Sequence, residues 1–179
     1  MILGILLQVS CLLNSEVGRF DVVYRSDLRC PVEVSWRLCP GDLGNVKRER
    51  SFKFVSDSRV PMPRALSSDY TDTGFDRGHM CPAADRSASV TAMRATFIMT
   101  NVCPQVPALN RGEWKRAEEQ ARKYVRGGRS VKVRACALFF KADTLRIGAN
   151  GVAVPHGFIR EVRRCSDDSI IYARYFQNY

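Results

Sequence analysis

The sequence predicts an α+β fold, a mixed and largely antiparallel sheet with packed helices. Strand-like runs outnumber helical ones, and the clearest of them alternate apolar and polar residues with a period of two. These runs bracket one strong helix, Asn110 to Arg126. At 179 residues the chain is long enough to bury a core as one domain without covalent staples.

The elements follow in order. Met1 to Leu13 is apolar except for Gln8 and Ser10. It is shorter than the ~20 residues a membrane-spanning helix needs, so no stable membrane span is expected. It resembles the apolar core of a secretory signal peptide, although no basic residue precedes it. Residues 1–15 are therefore assigned to a leader and 16–179 to the folded domain, exported to a periplasm or secreted. The alternative is an ordinary first strand or helix.

Phe20 to Tyr24 is a short strand. Val32, Val34, Trp36 and Leu38 alternate with Glu33, Ser35 and Arg37, as in a half-buried antiparallel strand. Pro40-Gly41-Asp42 and Gly44-Asn45 mark a turn. The basic cluster Lys47, Arg48 and Arg50 precedes a strand candidate, Ser51 to Val55, and Ser56 to Thr73 is a long loop. Phe97 to Thr100 has the character of a buried strand.

Asn110 suits a helix N-cap, with Glu113 as its capping-box partner. Trp114, Ala117, Ala121 and Val125 recur at helical spacing until Gly127-Gly128 ends the helix. Ser130 to Phe140, Val152 to Val154, Phe158 to Val162 and Ser169 to Phe176 complete the strands.

Composition is that of an ordinary globular protein, with 45% hydrophobic and 26% charged residues, which excludes the disordered and membrane-spanning classes. The formal charge of +10 favours polyanionic partners, nucleic acid first. Between Arg111 and Arg134, nine cations stand against three acids, enough to contact a phosphate backbone without reading sequence. Seven cysteines cannot all pair within one chain. Cys30 and Cys39 suit a short bridge across a hairpin, and Cys81 and Cys103 suit either a disulfide or two buried thiols. With no C-x-x-C and only two histidines, a structural zinc site is not expected.

Two segments carry chemistry. One is Asp76-Arg-Gly-His-Met-Cys-Pro82; the other is Thr100-Asn-Val-Cys-Pro-Gln105, continued by Asn110-Arg-Gly-Glu-Trp114 and Glu118. Together they resemble the DNA/RNA non-specific endonuclease family, whose active site is a ββα-metal (His-Me) finger. The likeness extends from Phe20 to Tyr179 and takes in Tyr70 to Phe75, Val154-Pro155 and Asn178. Ala137-Leu138 stands where many members have Gly-Pro, and the chain stops at the late strand where larger members continue.

The residues themselves suit phosphodiester hydrolysis, which needs an activated water, charge stabilisation and help for the leaving oxygen. His79 titrates near neutral pH and can take a proton from water. Arg77 offers a guanidinium fork to phosphate oxygens. Asn101 orients the His-bearing segment or a substrate oxygen, and Asp76 anchors the loop. The resemblance makes Asn110 the metal ligand, whose neutral amide oxygen suits Mg²⁺, with Mn²⁺ able to substitute. Glu118, two helical turns on, can hold metal-bound waters, and Arg50 resembles an arginine that members carry upstream. His156 is structural or at the surface.

The resemblance thus implies a Mg²⁺-dependent endonuclease cutting DNA and RNA with little sequence preference and leaving 5′-phosphates. Two other classes compete: a nucleic-acid-binding module without turnover, and a disulfide-braced extracellular interaction domain. Intact His79, Asn110 and Glu118 argue against the first, while the second accounts for the cysteines but not the motifs.

Overall fold

The computed structural model describes residues 10–140 and 144–179. In chain order its elements are β1 (Ser10–Ser15), β2 (Phe20–Arg25), β3 (Cys30–Leu38), β4 (Asp76–His79), α1 (Val90–Ala95), β5 (Val102–Gln105), α2 (Lys115–Arg126), β6 (Val131–Leu138), β7 (Arg146–Ile147), β8 (Val152–Ala153), β9 (Gly157–Arg164) and β10 (Ile170–Gln177). One six-stranded sheet runs in the order β1-β2-β3-β6-β9-β10 and is antiparallel at every junction. β4 and β5 form a separate two-stranded ribbon.

Alternation decides which face of the sheet is covered. Val34, Trp36 and Leu38 of β3, Val131, Val133 and Ala135 of β6, and Phe158 and Val162 of β9 are buried. Between them Arg37, Lys132, Arg134 and Glu161 point to the other, outer side, while Arg160 of β9 is fully buried. α2 buries Ala117, Ala121 and Val125, one stripe at helical spacing, among the same core residues. Trp114, just before it, is fully buried with its ring 5.3 Å from those of Phe158 and Phe176. Tyr172 donates its hydroxyl to the Ala117 carbonyl at 2.8 Å and ties α2 to β10.

Several local expectations change. Residues 51–55 are not a strand; only Val55 bridges, in parallel, to Ile98. Phe97 to Thr100 is not a strand either. After Ile98 the chain makes a tight turn over Met99–Asn101, and the strand starts at Val102. The cause is Asn101, whose buried amide engages local backbone groups, as Asn side chains do in competition with strand ladders. Asn110 is not a helix N-cap. The helix begins at Pro107, where a missing N–H costs nothing, and the Asn110 N–H already bonds the Val106 carbonyl. Glu113 accordingly makes no capping box and instead accepts from Arg174 at 2.9 Å. A wide turn over Leu109–Trp114, with Gly112 at non-helical φ −105° and ψ −106°, leads into α2.

Sequence periodicity missed α1, which Ser89 caps by accepting the Ala92 N–H at 3.1 Å, and the strand character of Asp76–His79. Residues 1–9 of the leader assignment lie outside the described residues, and residues 10–15 form β1 against β2. Among the described residues no helix is long and apolar enough to cross a membrane.

Candidate active site

The β4–β5 ribbon and the helical segment after it place the motif residues. Asp76 stands opposite Gln105, Gly78 opposite Cys103 and His79 opposite Val102. At position 78 a Cβ would overlap the buried Gln105 side chain, which would then have to move, so glycine fits there. Asn101 then locks the turn that follows His79. Its Oδ1 accepts the Cys81 N–H at 2.9 Å, and its Nδ2 donates to the carbonyls of Cys81 and Thr96 at 2.9 and 3.0 Å. Wholly buried and fully engaged, Asn101 positions the His-bearing segment and does not reach a substrate oxygen.

His79 is clamped by aromatic rings, with Phe54 at 5.0 Å and Phe97 edge-on at 4.8 Å. Trp114 donates its indole N–H to the His79 carbonyl at 3.1 Å and fixes this backbone to the helix. Nε2 is enclosed with no hydrogen-bond partner among the described residues. Burial, with the nearby Arg48 charge adding to it, pushes the imidazole pKa down to about 3. His79 is therefore neutral across the physiological range.

Asp76 does more than anchor a loop. It accepts from Asn110 Nδ2 at 2.9 Å and from Arg111 at 2.7 and 2.9 Å. Burial works to raise its pKa, but these donors outweigh it and hold the carboxyl below its usual range. Their effect on Asn110 is to fix the amide so that Oδ1 has no protein donor among the described residues. Arg77 uses Nε and Nη2 on the Ser67 carbonyl and hydroxyl and lies over the Tyr70 ring at 5.6 Å. Nη1 makes no hydrogen bond among the described residues and remains for a ligand.

Glu118 lies between Arg160 at 3.6 Å and Arg122 at 3.8 Å. Burial is the largest influence and pushes its pKa up to about 7, against the two arginines. Behind it Asp85, fully buried, accepts from Arg122 at 2.8 Å and from the Trp36 indole at 3.0 Å. Arg160, also fully buried, lies 4.2 Å from the Trp114 ring centre and donates to the Met80 carbonyl at 3.2 Å.

Metal-free protein should show this burial as pH dependence. Between pH 4.5, the ordinary Glu value, and about 7, folded Glu118 keeps a proton that the unfolded chain has lost. Its contribution to stability therefore falls as pH rises through that window, by up to ~3 kcal/mol. Glu118→Gln should melt higher than wild type near pH 8 in EDTA and lose that advantage near pH 4.5. A difference that is the same at both pH values would show that folding does not raise the Glu118 pKa.

His79, Arg77, Asn110 and Glu118 line one cleft of about 730 Å³. Arg50 does not; it is exposed in the preceding loop, and its neighbour Arg48 lines the cleft instead, 5.0 Å from the Phe97 ring centre. Of the nine cations from Arg111 to Arg134, Arg111, Lys115, Arg122 and Arg126 reach the cleft. Lys132 and Arg134 lie on the outer sheet face, bonded to Asp168 at 2.9 Å and Glu33 at 2.7 Å. Phe54, Phe97, Arg48, Asp85 and Arg160 escaped sequence reasoning. The flagged basic cluster contained Arg48, but no periodicity in that loop selects it.

All seven cysteines are free thiols. Cys30 and Cys39 cannot bridge a hairpin because they lie on one extended segment, about 30 Å apart at ~3.3 Å per residue. Cys103 neighbours Cys30 rather than Cys81, and burial raises the thiol pKa of both Cys81 and Cys103. The disulfide-braced alternative thus has no bridge to rest on. His156 is structural, accepting the Phe140 N–H at 3.3 Å. Buried Asn178 pins the chain end by bonding Pro104, Val106 and Pro155.

No group of three His, Cys, Asp or Glu residues among those described could hold a metal ion. The donor set is instead one free amide oxygen with a carboxylate two turns away. That suits a hard cation that keeps most of its waters, and it does not suit zinc.

The chain matches the family model for DNA/RNA non-specific endonuclease over residues 6–176. It is 38% identical over 100 residues to a nuclease of Nostoc sp., covering 56% of this chain and 36% of that protein. It is 39% identical over 123 residues to human mitochondrial endonuclease G, covering 64% of this chain and 41% of the relative. The bovine endonuclease G is 41% identical over 134 residues, 69% of this chain and 45% of that one. The chain thus spans less than half the length of these relatives. A crystal structure of the EndoG/EndoGI complex superposes with a TM-score of 0.82 at 23% identity, over 96% of this chain and 75% of that one, and shares the fold.

Proposed function

Because the chain belongs to the DNA/RNA non-specific endonuclease family, we propose that it hydrolyses phosphodiester bonds of DNA and RNA with little sequence preference, leaving 5′-phosphates. The observation that carries this is a neutral His79, clamped by two rings, at a cationic cleft beside the free Oδ1 of Asn110.

His79 receives the proton of the attacking water. With Nε2 enclosed, Nδ1 is the nitrogen that does so. Burial keeps the imidazole unprotonated at working pH, at the cost of making it a weaker base than a free imidazole. Phe54 and Phe97 hold the ring, and Trp114 holds its backbone, so the base is positioned before substrate arrives. Arg77 Nη1 and Arg48 balance the negative charge on the phosphate oxygens, while Lys115 and Arg126 hold the flanking backbone. Asn110 Oδ1 would hold Mg²⁺, or Mn²⁺ in its place, with Glu118 ordering its waters. When bound, the ion supplies charge stabilisation at the scissile phosphate and the leaving 3′-oxygen. The apolar stretch Met1 to Leu13 makes export part of the same proposal, with residues 10–13 belonging to β1.

Incubating the protein with supercoiled plasmid and with RNA, in Mg²⁺ and in EDTA, tests it. Fragmentation of both in Mg²⁺ only, with ends that a ligase accepts as 5′-phosphates, is expected. Intact substrates under both conditions would sink the proposal.

A further inference from the structure

A second cationic cavity lies at the far end of α2. It measures about 450 Å³ and is lined by Arg37, Arg129, Arg164, Tyr124, Ser130 and Ser166, with Cys165 between the last two arginine and serine positions. No carboxylate lines it. Arg129 stands 5.1 Å from the Tyr124 ring centre. Arg164 is held by the Tyr124 hydroxyl at 3.2 Å and the Ser169 hydroxyl at 2.7 Å, with Asp167 3.7 Å away on its outer side. Arg37 and Arg129 have no carboxylate partner among the described residues.

Two further features set this cavity apart from a scattered basic surface. Across the sheet, Arg37 is directly opposite Lys132, and Lys132 is directly opposite Arg163. Three like charges in one cross-strand row disfavour the fold unless something negative sits over them. Asp168 meets Lys132 and Arg163 at 2.9 and 3.6 Å, which leaves Arg37 unmatched. Along α2, Lys115, Glu118, Arg122 and Arg126 all line the catalytic cleft, and Arg129, just past the Gly127-Gly128 turn that ends the helix, lines the second cavity.

We propose that this cavity is a second phosphate-binding site, which holds the nucleic-acid backbone away from the bond being cleaved. The proposal rests on the nuclease reading above. α2 has 12 residues and so separates the two sites by ~18 Å. Duplex DNA rises ~3.4 Å per base pair, so the second site meets the backbone about five base pairs from the scissile one. A substrate too short to cover that distance cannot use it.

The test compares wild type with Arg37→Ser/Arg129→Ser on a duplex of about 30 base pairs and on a hairpin with a stem of about four, ~14 Å long and so too short to span the ~18 Å to the second site. Both side chains are exposed, so melting should not change. On the long duplex KM should rise several-fold with kcat unchanged, and the slope of log affinity against log salt should flatten by about one per arginine. The hairpin should be bound and cut equally by both proteins. An unchanged salt slope, or an equal loss on both substrates, overturns the second site while leaving the nuclease reading intact. A wild type that neither binds nor cuts either substrate overturns both.

Discussion

Replacing His79 with Ala is expected to lower cleavage of plasmid DNA about 10²–10⁴-fold, the usual cost of losing a general base. Duplex affinity should hardly move, because the cations that meet the backbone, Lys115, Arg126 and Arg48, stay where they are. The fold should survive as well. His79 makes no side-chain hydrogen bond among the described residues, and the turn that carries it is held by Asn101 and by Trp114 through backbone groups. Activity, affinity and melting temperature measured together therefore separate the roles. The pH profile adds a second check. Since burial and Arg48 push the imidazole pKa down to about 3, wild-type activity should show no loss attributable to His79 as pH falls from 8 to 5. A fully active His79→Ala protein would remove the base from the mechanism.

The sheet was legible where one face is buried and the other wet. In β3 the apolar positions Val34, Trp36 and Leu38 are core and the polar ones are not, and β6, β9 and β10 fall where their patterns place them. The site was legible for a different reason. Asp76 to His79, Asn110 and Glu118 form spaced motifs, and the ribbon-plus-helix geometry brings Arg77, His79, Asn110 and Glu118 to one cleft.

What stayed hidden depends on tertiary contacts. Phe52, Phe54 and Val55 carry β propensity, but both Phe rings are drawn onto Phe97 instead of a ladder. Arg48 and Arg50 are equivalent in sequence, and only the path of the loop decides which one meets the cleft. Arg122 sits in a run that reads as a solvated helix face, yet its guanidinium turns inward to a buried carboxylate. Charged residues inside a core are the hardest to find from sequence, because nothing local distinguishes them from surface charge.

That buried pair supplies the other large expected effect. Asp85→Ala should destabilise the protein by ~3–5 kcal/mol, because it strips the nearer carboxylate from an arginine that has little solvent to fall back on, leaving only Glu118 at 3.8 Å. The Trp36 indole N–H, 3.0 Å from the same carboxylate, loses its acceptor too. At ~2–4 °C per kcal/mol for a chain of this size, melting should drop by roughly 6–20 °C. Arg122→Met alone should also be costly, leaving Asp85 fully buried with only the indole to answer its charge. The double variant Asp85→Ala/Arg122→Met, with no orphaned charge, should be clearly more stable than the two losses added together. Simple additivity would mean that the pair is not coupled. Function would follow through Glu118. Asp85 is one of the charges that raise its pKa, and Arg122 is one that lowers it. Asp85→Ala should therefore make the cleft carboxylate more acidic even as it weakens the wall behind it. A single substitution, 2.8 Å from an arginine and outside the cleft lining, would then change both melting and the pH at which Glu118 ionises.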